Sequence, residues 1–255
     1  LETDTTADIA IVGGGYTGLW TAYFLKQIQP DLDVVLVEAK HIGHGASGRN
    51  GGWLMGALEG YDAFTDDSGA LPTAARQELT QLVSRAGEIL VKEGIDCDFH
   101  HGGCIMAAAR HNVQIARAKK FLAGFHGLGF GEDDYRWLTP TELSQRIQVA
   151  NPGGAVFTPH VARIQPAKLV TGLARVVKSL GVRVFEHTRA HGIHSGVIHC
   201  DRGSIQAGQI VVATEGYSEA GNPLHRRQIP VQTGTVATEP LSDMQWSGLG
   251  FTNNE

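Results

Sequence analysis

Along the first 40 residues, unbroken apolar runs alternate with a stretch of helical period. Ile9-Ala10-Ile11-Val12 follows Asp8 and stops at Gly13, the pattern of a strand buried on both faces. From Tyr16 to Gln27, Leu19, Tyr23 and Phe24 share one helical stripe, and Pro30 closes the segment. Asp33 to Val37 reads as a second buried strand ending at Glu38. Strand, helix and strand within about 30 residues predict a βαβ unit with a right-handed crossover, the start of a parallel sheet.

Further along, Leu79, Leu82, Val83, Ala86, Ile89 and Leu90 predict an amphipathic helix over 73–93, with Gly94 just past its end. Strands are expected over 97–109 around Gly102-Gly103, and a helix over 112–125 with Lys119 and Lys120 on its wet face. Thr139 is placed to cap a short helix through Ile147 that Pro140 opens. A strand over 155–157 precedes a helix over 166–180, whose Leu169, Leu173, Val176, Val177 and Leu180 fall on one face. Stretches 182–185, 197–200 and 210–213 complete a β-rich region. The return of strands late in the chain predicts a discontinuous nucleotide-type domain. Its expected parts are 1–95 and 151–220, with 96–150 and 221–255 forming a second, β-rich domain.

Composition narrows the classes. The 255 residues are 42% hydrophobic and 18% charged, with a net charge of -5, which excludes a disordered chain and gives no basic footprint for nucleic acid. No apolar run reaches the roughly 18 residues of a membrane span. Three cysteines are too few for a disulfide framework, and no basic-then-apolar leader opens the sequence. A soluble, cytoplasmic protein without nucleic-acid or membrane partners is expected.

Glycine changes the picture most, because the residues are clustered. Gly13-Gly14-Gly15-Tyr16-Thr17-Gly18 fits G-x-G-x-x-G, follows a strand, opens a helix, and has Glu38 about 20 residues on. Gly13 allows the tight turn, Gly15 the approach of a pyrophosphate, and Gly18 close packing of helix on strand. The helix start offers N–H groups and partial positive charge to phosphates, and Glu38 can accept from an adenosine ribose. An adenine dinucleotide is expected here, and NAD and FAD satisfy the pattern equally. A second polar, glycine-rich loop, 41–53, follows Glu38-Ala39 at the carboxyl end of the sheet, where ligands sit in open α/β folds.

Together, Ile9 to Leu19, Val37-Glu38-Ala39 and Gly45-Ala46-Ser47-Gly48-Arg49-Asn50-Gly51-Gly52 closely resemble the D-amino-acid-oxidase-like family of FAD-dependent amine oxidoreductases, within it the γ-glutamylputrescine oxidase branch. Gly94 to Phe99, Trp137-Leu138-Thr139, Arg163 to Leu169 and Ile210 to Tyr217 extend the resemblance nearly end to end, with Glu215 where the family usually has Asn. The fold this implies is α/β: a discontinuous FAD-binding Rossmann-like domain of the glutathione-reductase type, with an interleaved β-rich substrate domain.

The resemblance implies that Gly13, Gly15 and Gly18, with the adjoining Tyr16, Thr17, Glu38 and Ala39, hold the ADP half of FAD. Gly45, Ala46, Ser47, Gly48, Arg49 and Asn50 would follow the pyrophosphate and flavin, and Gly51 and Gly52 would leave room for the ring. Ala190, after Thr188-Arg189, would meet the adenine, and Ala213, Thr214 and Gly216 would turn over the ribityl–phosphate region. Arg49 stands where some relatives attach flavin through His, so FAD is expected to be non-covalent, with His44 the competing attachment point. Arg49 could also stabilise reduced flavin, though a pyrophosphate contact is at least as good a reading. No other catalytic residue is assigned.

The implied reaction passes hydride from a small amine to flavin; the imine is hydrolysed and oxygen reoxidises the cofactor to give peroxide. Rival readings are a dehydrogenase that uses an electron carrier, and a non-catalytic flavoprotein subunit. The chain also lacks the family's later substrate-domain strands and final FAD segment, and Leu1 stands in place of Met, which suggests a trimmed product. A fragment, a complementing second chain or a homo-oligomer is therefore expected. The residues 228–239 resemble the opening of a further sheet. Cys97, His100, His101 and Cys104 lack the spacing of a zinc finger, and His187, His191, His194 and His199 do not converge on one face, so no metal is assigned. Arg226-Arg227 reads as a solvated pair.

Overall fold

In the computed structural model, which describes residues 1–58, 60–217, 227, 229, 231 and 233–250, the opening apolar run forms β1 (Thr5–Val12) and the helical stripe α1 (Tyr16–Ile28). There follow β2 (Val34–Val37), β3 (Trp53–Met55), α2 (Thr73–Lys92), β4 (Cys104–Ala109), α3 (Asn112–Gly127), β5 (Arg136–Leu138) and α4 (Pro140–Ser144). The chain continues through β6 (Pro152–Thr158), β7 (Val161–Arg163), α5 (Pro166–Ser179), β8 (Arg183–Phe185), β9 (Ala190–His194) and β10 (Val197–Cys200). It ends in β11 (Gly203–Val212) and α6 (Asp243–Leu249).

The chain divides into two compact units. One comprises 1–51, 93–97 and 165–235; the other comprises 52–92, 98–164 and 236–255. These bounds differ from those read in the sequence, since 52–92 and 151–164 group with the second unit. There Gly56 donates to the His160 carbonyl at 2.9 Å, and β3 pairs with β7.

The first unit is built on a six-stranded sheet of order β8-β2-β1-β11-β10-β9. β8, β2, β1 and β11 run parallel, while β10 and β9 return antiparallel. All four residues of β2 are buried, as a strand covered on both faces requires. On one face Ala10, Val12, Val35, Val37, Ile198 and Ile205 form a core cluster. α1 and α5 pack on each other and supply Leu19, Ala22, Tyr23, Leu173 and Val177 as buried side chains. Lys26, near the end of α1, is buried and donates to the Leu32 carbonyl at 2.9 Å, which holds down the turn into β2.

In the second unit a three-stranded antiparallel sheet, β4-β6-β5, accompanies the β3-β7 pair. Its core gathers Leu71, Leu122, Phe125, Phe130, Tyr135 and Val156, with the Phe125 and Tyr135 rings stacked at 3.9 Å. Thr139 and Glu142 make a reciprocal capping box at the start of α4, which stops at Ser144, short of Ile147. Of the strands expected over 97–109, only β4 forms a ladder; His100 makes an isolated bridge to Arg163. In 228–239, Gln228, Pro230 and Gln232 lie outside the described residues, as does Arg226, and the described ones join no sheet. Among the described residues no helix is long and apolar enough to cross a membrane.

Leu173 is wholly buried on α5, which packs on α1. Leu173→Ala is expected to lower unfolding stability by about 2–5 kcal/mol, the cost of a large-to-small core change. Urea denaturation followed by circular dichroism measures it, and a loss well under that range would place Leu173 in a site that relaxes freely.

Candidate dinucleotide site

The carboxyl ends of β1, β2 and β11 open onto a cleft of about 330 Å³ inside the first unit. Its floor depends on glycine. Gly13 has φ of 116°, and a Cβ there would lie 2.3 Å from the Ala213 carbonyl oxygen. Gly13 N–H donates to the Val37 carbonyl and Ala213 N–H to the Val12 carbonyl, each at 2.8 Å, so the three strand ends are tied at one level. Gly18 faces the Gly13 carbonyl, where a Cβ would stand only 2.0 Å away. Helix and strand therefore meet as closely as the pattern anticipates.

Gly15 is the N-cap of α1 and carries no side chain to close the helix end. The first turn contains no acidic residue, so the partial positive charge of the helix start faces the cleft without a covalently attached anion on its own turn. Glu38, at the end of β2, lies beside it. Its carboxylate accepts from Gly14 N–H at 2.8 Å and from Lys40 N–H at 2.9 Å. Each oxygen keeps a further lone pair for a ribose hydroxyl.

The second glycine loop packs against the first. Ser47, in a 3-10 turn over Ala46–Gly48, accepts from Tyr16 N–H at 3.0 Å, satisfying one donor of the α1 start from outside the helix. Gly48 faces the Gly43 carbonyl and Gly45 faces the Tyr217 ring, where added Cβ atoms would lie at 2.2 and 3.2 Å. Asn50 donates to the Ser47 carbonyl at 3.0 Å and to the Ala46 carbonyl at 3.3 Å, which fastens the turn. His41 and His44 meet at 3.2 Å through ring nitrogens.

The structure brings together Gly13, Gly15, Tyr16, Thr17, Glu38, Ala39, Gly45, Ala46, Ser47, Ala190, Ala213 and Thr214 along one cleft. Gly18 lies behind its floor. Arg49, Asn50, Gly51, Gly52 and Gly216 do not line it. The Arg49 Nε donates to the His44 carbonyl at 2.8 Å, so this side chain braces its own loop. Gly51 has open space where a Cβ would go, and Gly52, with φ of 78°, belongs to the second unit. The Tyr16 hydroxyl donates to the Pro166 carbonyl at 3.0 Å; burial, partly offset by a hydrogen bond with Asn50, pushes its pKa up to about 12.

Not read from the sequence as site residues are His191, Gly192 and Ile193 of β9, and Tyr217. Thr188 N–H donates to the Glu38 carbonyl at 2.9 Å, which carries the chain from β8 past Glu38 and into β9. The polar sequence of β9 gave no strand signal, so its approach to the cleft was hidden. Among the described residues no group of three or more His, Cys, Asp or Glu is placed to hold a metal, and all three cysteines are free thiols.

Comparison with known proteins agrees with this architecture. The profile of the FAD dependent oxidoreductase family (DAO) matches residues 8–254. The chain belongs to that family. Its cofactor is FAD, and the residues present fit it: a helix start whose N-cap is the bare Gly15, a cradle that any Cβ would fill, and a carboxylate at the end of β2. Gamma-glutamylputrescine oxidoreductase of Escherichia coli (strain K12) is 29% identical over 252 residues, covering 95% of this chain and 57% of that protein. Sarcosine oxidase subunit beta of Rhodobacter capsulatus is 22% identical over 92% of this chain and 56% of that one. Glycine oxidase from Geobacillus kaustophilus shares the fold with a TM-score of 0.67 at 24% identity, over 87% of this chain and 58% of that one. The chain thus spans just over half the length of these relatives.

Two outcomes test the site's construction. Ser47→Ala removes the acceptor for Tyr16 N–H and is expected to cost about 1 kcal/mol of first-unit stability, as loss of a helix cap does; an unchanged denaturation midpoint would contradict it. Tyr16 and Tyr135 both have pKa values raised from 10.0 to about 12, chiefly by burial. Folding therefore favours their neutral forms, and this contribution is complete below pH 10 and is lost as pH rises toward 12. Thermal melts across that window should show the midpoint falling, with a shallower fall in Tyr16→Phe.

Proposed function

We propose that the chain holds FAD non-covalently and forms the cofactor-binding part of an oxidoreductase acting on a small amine. The observation that carries this reading is the placement of Glu38 against Gly14 N–H beside the Gly13–Gly15 turn, in one cleft with Ala190 and Ala213. Gly13 and Gly15 leave the backbone bare for a pyrophosphate, the start of α1 offers it partial positive charge, and Glu38 receives the ribose. Thr188 to Ile193 form the wall assigned to the adenine. Ser47 and Asn50 hold the second loop in shape, and Arg49 fixes that loop through the His44 carbonyl.

Bound FAD supplies two-electron oxidation of an amine, with molecular oxygen as the acceptor that returns hydrogen peroxide. The amine class favoured is γ-glutamylputrescine or a related primary amine, on the strength of the 29% identity to the Escherichia coli enzyme. The protein positions the cofactor; no residue of this chain is required as a general base when the amine arrives neutral. A second reading, that the chain works with a complementing chain, is favoured by the relative whose name makes it a subunit, sarcosine oxidase subunit beta.

Purified protein is expected to show the visible absorption of oxidised flavin, to release FAD into the supernatant on heat denaturation, and to bleach on anaerobic addition of γ-glutamylputrescine. Peroxide should then form under air. Colour retained in the denatured pellet would overturn non-covalent binding, and persistent colour with the amine would overturn the substrate. Absence of flavin after incubation with FAD would remove the reading as a whole.

A further inference from the structure

Ala190, in the wall of the cleft assigned to the adenine, lies at an irregular point of its sheet. Among the described residues β9 is an edge strand, so its backbone has a ladder partner, β10, on one side only. Pairing runs evenly from Val197 with His194 to His199 with Gly192, and then Cys200 meets Ala190. His191 is passed over, which makes a one-residue bulge in a strand that lines the cleft. A bulge bends its strand and interrupts the ladder. The ladder alone therefore holds the backbone around Ala190 weakly.

One carboxylate supplies what the ladder omits. Asp201, in the turn between β10 and β11, accepts from Arg189 N–H at 3.3 Å through Oδ2 and from His191 Nε2 through Oδ1. Its two oxygens thus grip the residues on either side of Ala190. Arg189, Ala190 and His191 line the cleft, whereas Asp201 stands behind them and does not. The hydrogen bond from His191 is the chief cause that holds the Asp201 carboxyl below the usual carboxylate range; desolvation opposes it, and Arg189 N–H adds to it. An ionised carboxylate only accepts, so His191 carries its proton on Nε2. Arg202, the next residue in the turn, pairs with Glu2 at 2.8 Å.

We propose that Asp201 is a positioning residue for the adenine end of the cofactor, clamping the bulge so that the main chain at Ala190 keeps the shape a flat purine meets. This rests on the reading of the cleft as a dinucleotide site. The ligand class that feels the clamp is the adenine nucleoside part, and the diphosphate end, held at Gly13 to Gly15, does not depend on it. Without the carboxylate the edge strand is free to move, and ordering it again on binding costs affinity. The clamp is partly exposed to solvent, so its effect is modest.

The test is calorimetric titration of the full chain, Asp201→Ala and Asp201→Asn with adenosine, ADP and FAD, alongside thermal melts and amide hydrogen exchange. Asp201→Ala should weaken all three ligands by one common factor of about threefold to fivefold, the scale of an exposed pair and one lost N–H partner. Exchange should quicken over Ala190–His194 and stay unchanged in β1 and β2. Asp201→Asn keeps an acceptor oxygen, so it should show a smaller loss and a smaller change in exchange at the same residues. It also carries the test if the alanine variant does not fold. Equal affinities in all three chains, with FAD bound by each, would overturn the proposal and leave the dinucleotide reading standing. A loss for ADP and FAD without one for adenosine would assign the effect to charge at the diphosphate and overturn the clamp. So would a loss in Asp201→Asn as large as in Asp201→Ala, or faster exchange across the whole sheet. No binding of adenosine, ADP or FAD to any chain would overturn the dinucleotide reading and the proposal with it.

Discussion

Two places where backbone meets backbone set the geometry of the first unit. At Gly13 the chain passes so close to the Ala213 carbonyl that no side chain fits between, and at Gly18 the helix rests on the Gly13 carbonyl itself. The first contact aligns the ends of β1 and β11, and the Gly13 donation to Val37 aligns β2 with them. The second brings the start of α1 down over the strand ends. The cleft is the space left above these contacts, and its width follows from side chains that are missing.

The same economy governs the polar groups around it. A helix start leaves N–H donors without partners in the helix, and buried donors without any partner are costly. Here Ser47 reaches in from the second glycine loop to serve Tyr16 N–H, and Glu38 reaches across from β2 to serve Gly14 N–H. The second loop is in turn held by Asn50 and Arg49 acting on its own carbonyls. The cradle is therefore formed by the chain alone, and a ligand meets a shape already fixed, which lowers the ordering cost of binding.

Much of this was legible in the sequence because it depends on short-range signals. The β1-α1-β2 unit is written in contiguous apolar runs, a helical stripe and glycines at fixed spacing, and α5 in five apolar positions on one face. The fold and cofactor followed from those signals together with the family resemblance. What escaped depends on pairings that the residue types themselves do not announce. β9, Ala190–His194, is a strand only because β10 pairs with it, and its histidines and glycine carry no apolar alternation. Arg49 looked free to meet a ligand, yet its Nε is committed to a carbonyl five residues away. The separation of 52–92 from the first unit followed from the β3-β7 pairing, which three-residue strands do not announce.

The central sheet also imposes an order on biosynthesis. β1 lies between β2, which follows it closely, and β11, paired from Thr5 with Ile205 through Val12 with Val212. Asp4 and Ser204, joined beside that ladder, are 200 residues apart. At a ribosomal rate of roughly 5–20 residues per second, β1 waits on the order of 10–40 s for its second neighbour. During that interval most of the second unit's chain emerges, while the edge of β1 destined for β11 has no native partner strand. The long-range register makes the first unit slow to close, and the nascent chain must stay soluble until residue 212 has left the ribosome.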